Sequence, residues 1–275
     1  MGHIIEAGKQ IFQAFPEAIC AGLVIATACS FLGTLVVLKR LVFIGATLSE
    51  VAAFGIAAAL FFHIQPFLGA ITFTLIAVTL LAFSSEEKRV PRDALMAAIF
   101  IFASGLSVLL VSKSGFGLEE VKSLLYGDLI ITSSQDLKVL LSILLPAIIL
   151  ISLFIRPIVY TFVDREEAKV LGIRVRLWEL LFYYILGIVV SAASKLGGML
   201  LVFCYLVVPP MAGLMISNRL KGAVFISIVL AILSTLLGFY FSYVHDLPTN
   251  QAIVVVASFL LCCVWIGKAA FSVRK

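Results

Sequence analysis

Glu50 is the one ionisable side chain between Arg40 and His63, in a stretch otherwise built of apolar, glycine and hydroxyl residues. It lies about 15 Å beyond Arg40 along a helix rising 1.5 Å per residue. A hydrocarbon core is about 30 Å thick, so this places the carboxyl near the midplane. A lone carboxylate at that depth is costly and marks an ion or proton path. Ser49 adds a neighbouring oxygen, and Ala46, Ser49, Ala53 and Ala57 recur at helical spacing as a small, close-packing face. A carboxylate beside a hydroxyl can hold a hard or borderline cation in passing. A second role fits the same residue: a protonated Glu hydrogen-bonded across a helix interface, for structure alone.

A second constellation is the polar stretch 163–176, VDREEAKVLGIRVR. Asp164 and Glu167 have the spacing of a helix-capping box. Gly172 stands where a helix stop is expected. This predicts a helix of about two turns, too short to be stable alone. Arg156, Arg165, Lys169, Arg174 and Arg176 surround it, the mark of a cytoplasmic face. A short capped helix there, between two spans, suits docking to a soluble partner. A third is LGGMLLVFCYLVVPPMAGL, which Gly197 and Gly198 open and Pro209 and Pro210 are expected to interrupt. Broken helices line transport paths in some membrane proteins; a packing kink explains the same residues.

Other chemistry is excluded. Only His3, His63 and His245 are present, with no HExxH set for a zinc enzyme. There is no phosphate-binding loop, GxGxxG or GxSxG in a suitable context. The chain is therefore expected to be no enzyme, to hold no cofactor of its own and to leave ATP hydrolysis to another subunit. Cys20, Cys29, Cys204, Cys262 and Cys263 form no CxxC pair and read as small core residues.

These groups must be positioned by membrane helices. The 275 residues are 63% hydrophobic and 13% charged, and mean hydropathy is +1.19. That is too apolar for a soluble domain, and no sustained alternation suggests a barrel. The expected fold is all-α: a polytopic transmembrane bundle of eight or nine spans forming a single domain over 1–275. The spans fall near 15–38, 42–62, 66–83, 94–112, 138–155, 177–194, 197–217, 222–243 and 250–267. Net charge is +5, but its basic residues lie in loops and at helix ends, which points to the lipid bilayer and not to nucleic acid. Their distribution puts the N-terminus outside and the C-terminus inside a cytoplasmic membrane. The first span is expected to act as an uncleaved insertion signal. Segment 113–137 is too polar to cross and reads as an external or re-entrant stretch leading to a capped helix start at Ser133 or Ser134.

Four stretches, in order, resemble the permease subunits of ATP-binding-cassette importers for zinc, manganese or iron, whose fold is that of type II importers. GATLSEVAAFGIA (45–57) looks like the family's second-helix motif, and LLYGDLIITSSQDL (124–137) is similar to its external segment. VDREEAKVLGIRV (163–175) matches its D-x-E-x-A-x-x-x-G at Asp164, Glu166, Ala168 and Gly172. LLVFCYLVVPPMAGLM with DLPTN resembles its late helices. The resemblance implies that 164–172 is the coupling helix seated in an ATPase subunit. It also implies a second permease copy or paralogue, an extracellular or periplasmic metal-binding protein, and a divalent metal as transported substrate. The chain departs from the pattern at Ala46 and Glu50, where the family carries an acidic residue and a histidine, while Ser49 is kept. It reads L-P-T-N where the family has L-P-T-G. Exchange of histidine for carboxylate shifts preference from zinc toward manganese or ferrous iron. Two other readings compete: a permease for chelated iron or a corrinoid, and a secondary transporter using Glu50 as its ion site.

Overall fold

In hydrocarbon the backbone must satisfy its own N–H and C=O groups, so long apolar runs fold as helices. A computed structural model describes residues 15–83, 91–113, 127 and 129–272. Its helices are α1 (Pro16–Leu38), α2 (Phe43–Phe61), α3 (Pro66–Phe83), α4 (Arg92–Lys113), α5 (Ser134–Leu153), α6 (Ile155–Val163), α7 (Arg165–Val170), α8 (Val175–Ile216), α9 (Leu220–His245) and α10 (Thr249–Ser272). A 3-10 turn, Leu129–Ile131, precedes α5. Among the described residues, seven helices are long and apolar enough to cross a membrane. α8 is 42 residues long and breaks at Gly198, where φ is 68° and ψ 169°. Counting its halves separately and adding the shorter α3 gives the nine expected spans.

α2 is the most enclosed of these spans, packed against α3, α4 and α8. Its Ala, Gly and Ser side chains allow that approach; a Cβ at Gly55 would lie 2.8 Å from the Gly69 carbonyl carbon of α3. α1 also packs against α8, and touches α5 and α9. Of the cysteines, Cys29 and Cys204 are buried as expected, but Cys20, Cys262 and Cys263 are exposed. Their apolar setting is the lipid-facing surface, which a hydropathy pattern does not distinguish from a core.

Polar contacts sort the helix termini into two ends. At one end, Ser134 donates to Glu17 at 3.2 Å, Lys195 pairs with Asp136 at 2.7 Å and Asn250 Nδ2 donates to the Gly197 carbonyl at 3.0 Å. At the other, Glu179 meets Lys39 and Arg165. The expected cap at α5 is present: Ser133 Oγ accepts from Asp136 N, and Asp136 reaches back to Ser133 N. Most of 113–137 lies outside the described residues. Ile155–Val163, between the expected span 138–155 and the polar stretch, is a helix of its own, with Ile158 and Thr161 buried and Tyr160 and Val163 exposed.

The broken-helix expectation needs correcting in part. The break falls at Gly198, whereas the backbone stays helical through Pro209 and Pro210. These prolines withhold the donors that would serve the carbonyls of Tyr205 and Leu206. Ser30 of α1 donates to the Tyr205 carbonyl at 3.3 Å. Gly33, one turn on, packs on the Leu206 backbone so tightly that a Cβ would lie 2.7 Å from its Cα. The proline pair is thus a seat for α1. At the Gly198 break, Asn250 serves the Gly197 carbonyl, and Gly127 (φ 63°) packs where a Cβ would lie 2.5 Å from the Gly197 carbonyl carbon.

Two substitutions test this seat. Ser30→Ala leaves the Tyr205 carbonyl without its donor and should cost about 1–3 kcal/mol in a reversible unfolding assay. Gly33→Val drives a side chain into backbone and should abolish a monodisperse product on size exclusion; a normal profile would show that α1 does not sit this closely.

Candidate functional site

Glu50 lies in the middle of α2 and is 1% exposed; Ser49 is fully buried. Glu50 Oε1 and Ser49 Oγ receive no hydrogen bond from the described residues. Ser104 of α4 is the polar neighbour of the carboxyl. Thr47 Oγ1 donates to the Met96 carbonyl of α4 at 3.2 Å and so fixes α2 against that helix. Ala46, Ala53 and Ala57 are all buried, as their spacing implies. Ala46 precedes Glu50 by one turn and brings no second ligand to it. Among the described residues no three His, Cys, Asp or Glu side chains gather into a metal cluster. What α2 offers is a carboxylate and a hydroxyl with free lone pairs, enclosed by protein. Thr74 of α3 and Ser194 of α8 also bury hydroxyls with no hydrogen bond from the described residues. The sequence gives no signal for these, because Ser and Thr in helices commonly bond their own carbonyls.

The proline half of α8 is next to this helix. Leu206 touches α1 at Gly33 and α2 at Gly45, where a Cβ would lie 3.0 Å from Leu206 Cδ1. Pro209 and Pro210 therefore belong to the packing around α2. Gly197 and Gly198 lie at the end that Asn250 and Gly127 occupy.

The predicted short helix is α7. Asp164 Oδ1 accepts from Glu166 N and Glu167 N, each at 3.0 Å. The reciprocal half of the capping box is not formed, because Asp164 N already donates to the Tyr160 carbonyl of α6 at 3.1 Å. The helix stops as expected: Gly172 has φ 75°, Ile173 N donates to the Ala168 carbonyl and Gly172 N to that of Lys169. This is the paired hydrogen-bond pattern of a glycine stop. Ala168 is fully buried, so it anchors α7 on its own chain. Glu166 is exposed and pairs with Lys169 at 2.7 Å, a contact that contributes little in water. Val170 is 87% exposed and Leu171 60%, an apolar pair at the tip.

Beneath α7 lies a charged knot that the sequence reading missed. Glu179 of α8 is buried, with Lys39 Nζ at 2.9 Å and Arg165 Nη2 of α7 at 3.6 Å. Lys39 follows the last residue of α1 and lies 4.4 Å from the centre of the Phe162 ring and 4.5 Å from that of Tyr183. Burial lowers the Lys39 pKa to about 8, against the pull of the Glu179 carboxylate. One carboxyl thus joins α1, α7 and α8. The available signal was a lone Glu within the first turns of an apolar span, facing the same side as Lys39.

Comparison with known proteins places these features. The model of the ABC 3 transport family matches residues 11–268. The manganese transport system membrane protein MntC of Halalkalibacterium halodurans is 27% identical over 250 residues, which cover 90% of this chain and 85% of that protein. Among solved structures, PsaBC from Streptococcus pneumoniae in complex with Fab superposes with a TM-score of 0.85 at 20% identity, covering 95% of both chains. A metal-chelate type ABC transporter in an inward-facing conformation gives 0.74 at 19% identity, covering 93% of this chain and 88% of that one.

Removing Glu179 leaves Lys39 and Arg165 without their shared carboxylate, so Glu179→Gln should destabilise the fold by about 3–5 kcal/mol in denaturant titration. Lys39 releases its proton near pH 8 when folded and near 10.5 in its ordinary state. The folded chain then binds fewer protons between those values, and stability gains a contribution as pH rises through them. Lys39→Met should remove that slope from melting temperatures measured across the window.

Proposed function

Since the chain belongs to the ABC 3 transport family, we propose that it is the permease subunit of an ATP-driven importer of divalent transition metal ions, with manganese as the preferred substrate. One observation carries this reading: Glu50 Oε1 and Ser49 Oγ are buried in the most enclosed span without a hydrogen bond from the described residues. Oxygen donors without thiolate or imidazole suit manganese or ferrous iron better than zinc. A single carboxylate per chain suits transit better than storage, since a passing ion has to leave. The relative named for manganese transport supports the same ion. A secondary transporter using Glu50 needs no partner for α7 and finds no support in the family. The chelated-iron or corrinoid reading has on its side only the fold likeness to the metal-chelate type transporter, at a TM-score of 0.74 against 0.85 for PsaBC.

In this reading residues 164–172 couple the permease to a separate ATPase. Glu166, Val170 and Leu171 are exposed for contact, while Asp164 and Gly172 cap the two ends and Ala168 anchors the segment. Arg165 and Glu179 carry movement of α7 to α1 and α8. Gly198, with Gly197, supplies the bend between the halves of α8, and Pro209 and Pro210 hold the inner half against α1. A second permease, either another copy or a paralogue with the acidic residue and histidine absent here, completes the path. A metal-binding protein outside the membrane delivers the ion. The basic loops put α7 and the C-terminus inside the cell.

Radioactive manganese uptake in cells that express the chain with its ATPase tests the metal path. Glu50→Gln should reduce uptake to background with surface expression unchanged, and undiminished uptake would return Glu50 to a purely structural role. Glu166→Lys and Leu171→Asp should each reduce co-purification of the ATPase while the permease stays folded. Full recovery of the ATPase with both variants would remove α7 from the coupling interface.

A further inference from the structure

The cytoplasmic side of the bundle holds a cleft of about 580 Å³ whose floor is Phe31 of α1. Arg156 of α6 lines it from one side, and Arg219 and Lys221, at the start of α9, line it from the other. None of its described lining residues is acidic, and none of the three basic side chains forms an ion pair with a described residue. At the same end Lys39 and Arg165 are paired with Glu179. Here three converge on one space.

The rest of the wall is apolar. Ile155 and Val159 come from α6 and Val224 from α9. Phe31 lies seven residues before the end of α1 at Leu38, roughly 10 Å deeper at 1.5 Å per residue. The apolar wall continues into the outward-facing side chains of α5 and α9, including Ile149, Leu153, Phe225 and Val229, all exposed. The cleft therefore has a cationic mouth at the membrane surface and an apolar floor open to the lipid region. α6, which borders it, is amphipathic, the character of an interfacial helix.

We propose that this cleft binds an anionic phospholipid of the cytoplasmic leaflet, with the headgroup phosphate among Arg156, Arg219 and Lys221 and an acyl chain against Phe31 and Val224. Basic pockets between transmembrane helices on this side attract acidic headgroups, and a planar guanidinium can donate two parallel N–H bonds to two oxygens of a phosphate. A soluble partner docks at the surface and does not reach an apolar floor about two turns deep. The occupied cleft ties α6, and through it α7, to α1 and α9.

Native mass spectrometry of the full-length chain in a non-ionic detergent, titrated with phosphatidylglycerol, phosphatidylcholine or inorganic phosphate, tests this. One phosphatidylglycerol should bind at about tenfold lower concentration than phosphatidylcholine, and inorganic phosphate should not displace it. R156Q/R219Q/K221Q should weaken retention about tenfold, while R156K/R219K should keep it. Equal binding of the two lipids, or unchanged retention by the glutamine variant, would overturn the proposal; displacement by inorganic phosphate would reduce the cleft to a phosphate site. If the triple variant does not fold, photo-crosslinking decides with the wild-type chain. A phosphatidylglycerol carrying a diazirine near the glycerol should label α6 and the first turns of α9. Labelling confined to other helices, or a crosslinked second subunit filling the cleft in place of lipid, would refute the site.

Discussion

A carbonyl group freed inside a bilayer finds no water, so it must be met by the protein. α8 frees carbonyls at two places, and neighbouring helices serve both. At the prolines, α1 brings Ser30 to the Tyr205 carbonyl and Gly33 against the Leu206 backbone. At Gly198, α10 brings Asn250 to the Gly197 carbonyl. These contacts fix α1 and α10 against α8, and α2 is placed through the same Leu206 side chain. The positions of α2 and of the bend therefore follow from one requirement on the backbone.

At the opposite end, charge takes the part that carbonyls take in the core. Glu179 is buried and affordable only because Lys39 and Arg165 accompany it. The same carboxyl gives the two-turn α7 a tertiary anchor, which a helix of that length needs. Ala168 adds a fully buried contact and Gly172 a sharp stop. Glu166, Val170 and Leu171 remain exposed.

Glu50 has a different environment from Glu179. No basic residue pairs with it among the described residues, and the small side chains around it come from helices that pack by close approach and not by charge. Glu179 reads as structural on these grounds, and Glu50 as the residue with coordination capacity left over. In the proposed reading Ser49 and Glu50 offer oxygen donors only, which bears on the ion preferred.

Hydropathy and capping chemistry were enough to locate most helices, because a spanning segment needs about 20 apolar residues and an exposed cap needs local partners only. The Ser133 box, the Asp164 cap and the Gly172 stop were legible for that reason. That Glu50 falls within a helix, well away from its ends, was legible from the run of apolar residues around it. Helix α6 was not, since nine residues, IRPIVYTFV, are too short to read as a span and carry a proline and an arginine beside the polar stretch. The outward-facing cysteines were misread because lipid and core demand the same side chains. Glu179 and the Tyr205 carbonyl gained their meaning from residues 140 and 175 positions away in the chain. By itself, the sequence determined the segments, their caps and the lone carboxylate. Only the tertiary structure decided which partner meets each freed carbonyl and buried charge, because those partners are set by helix packing and not by spacing along the chain.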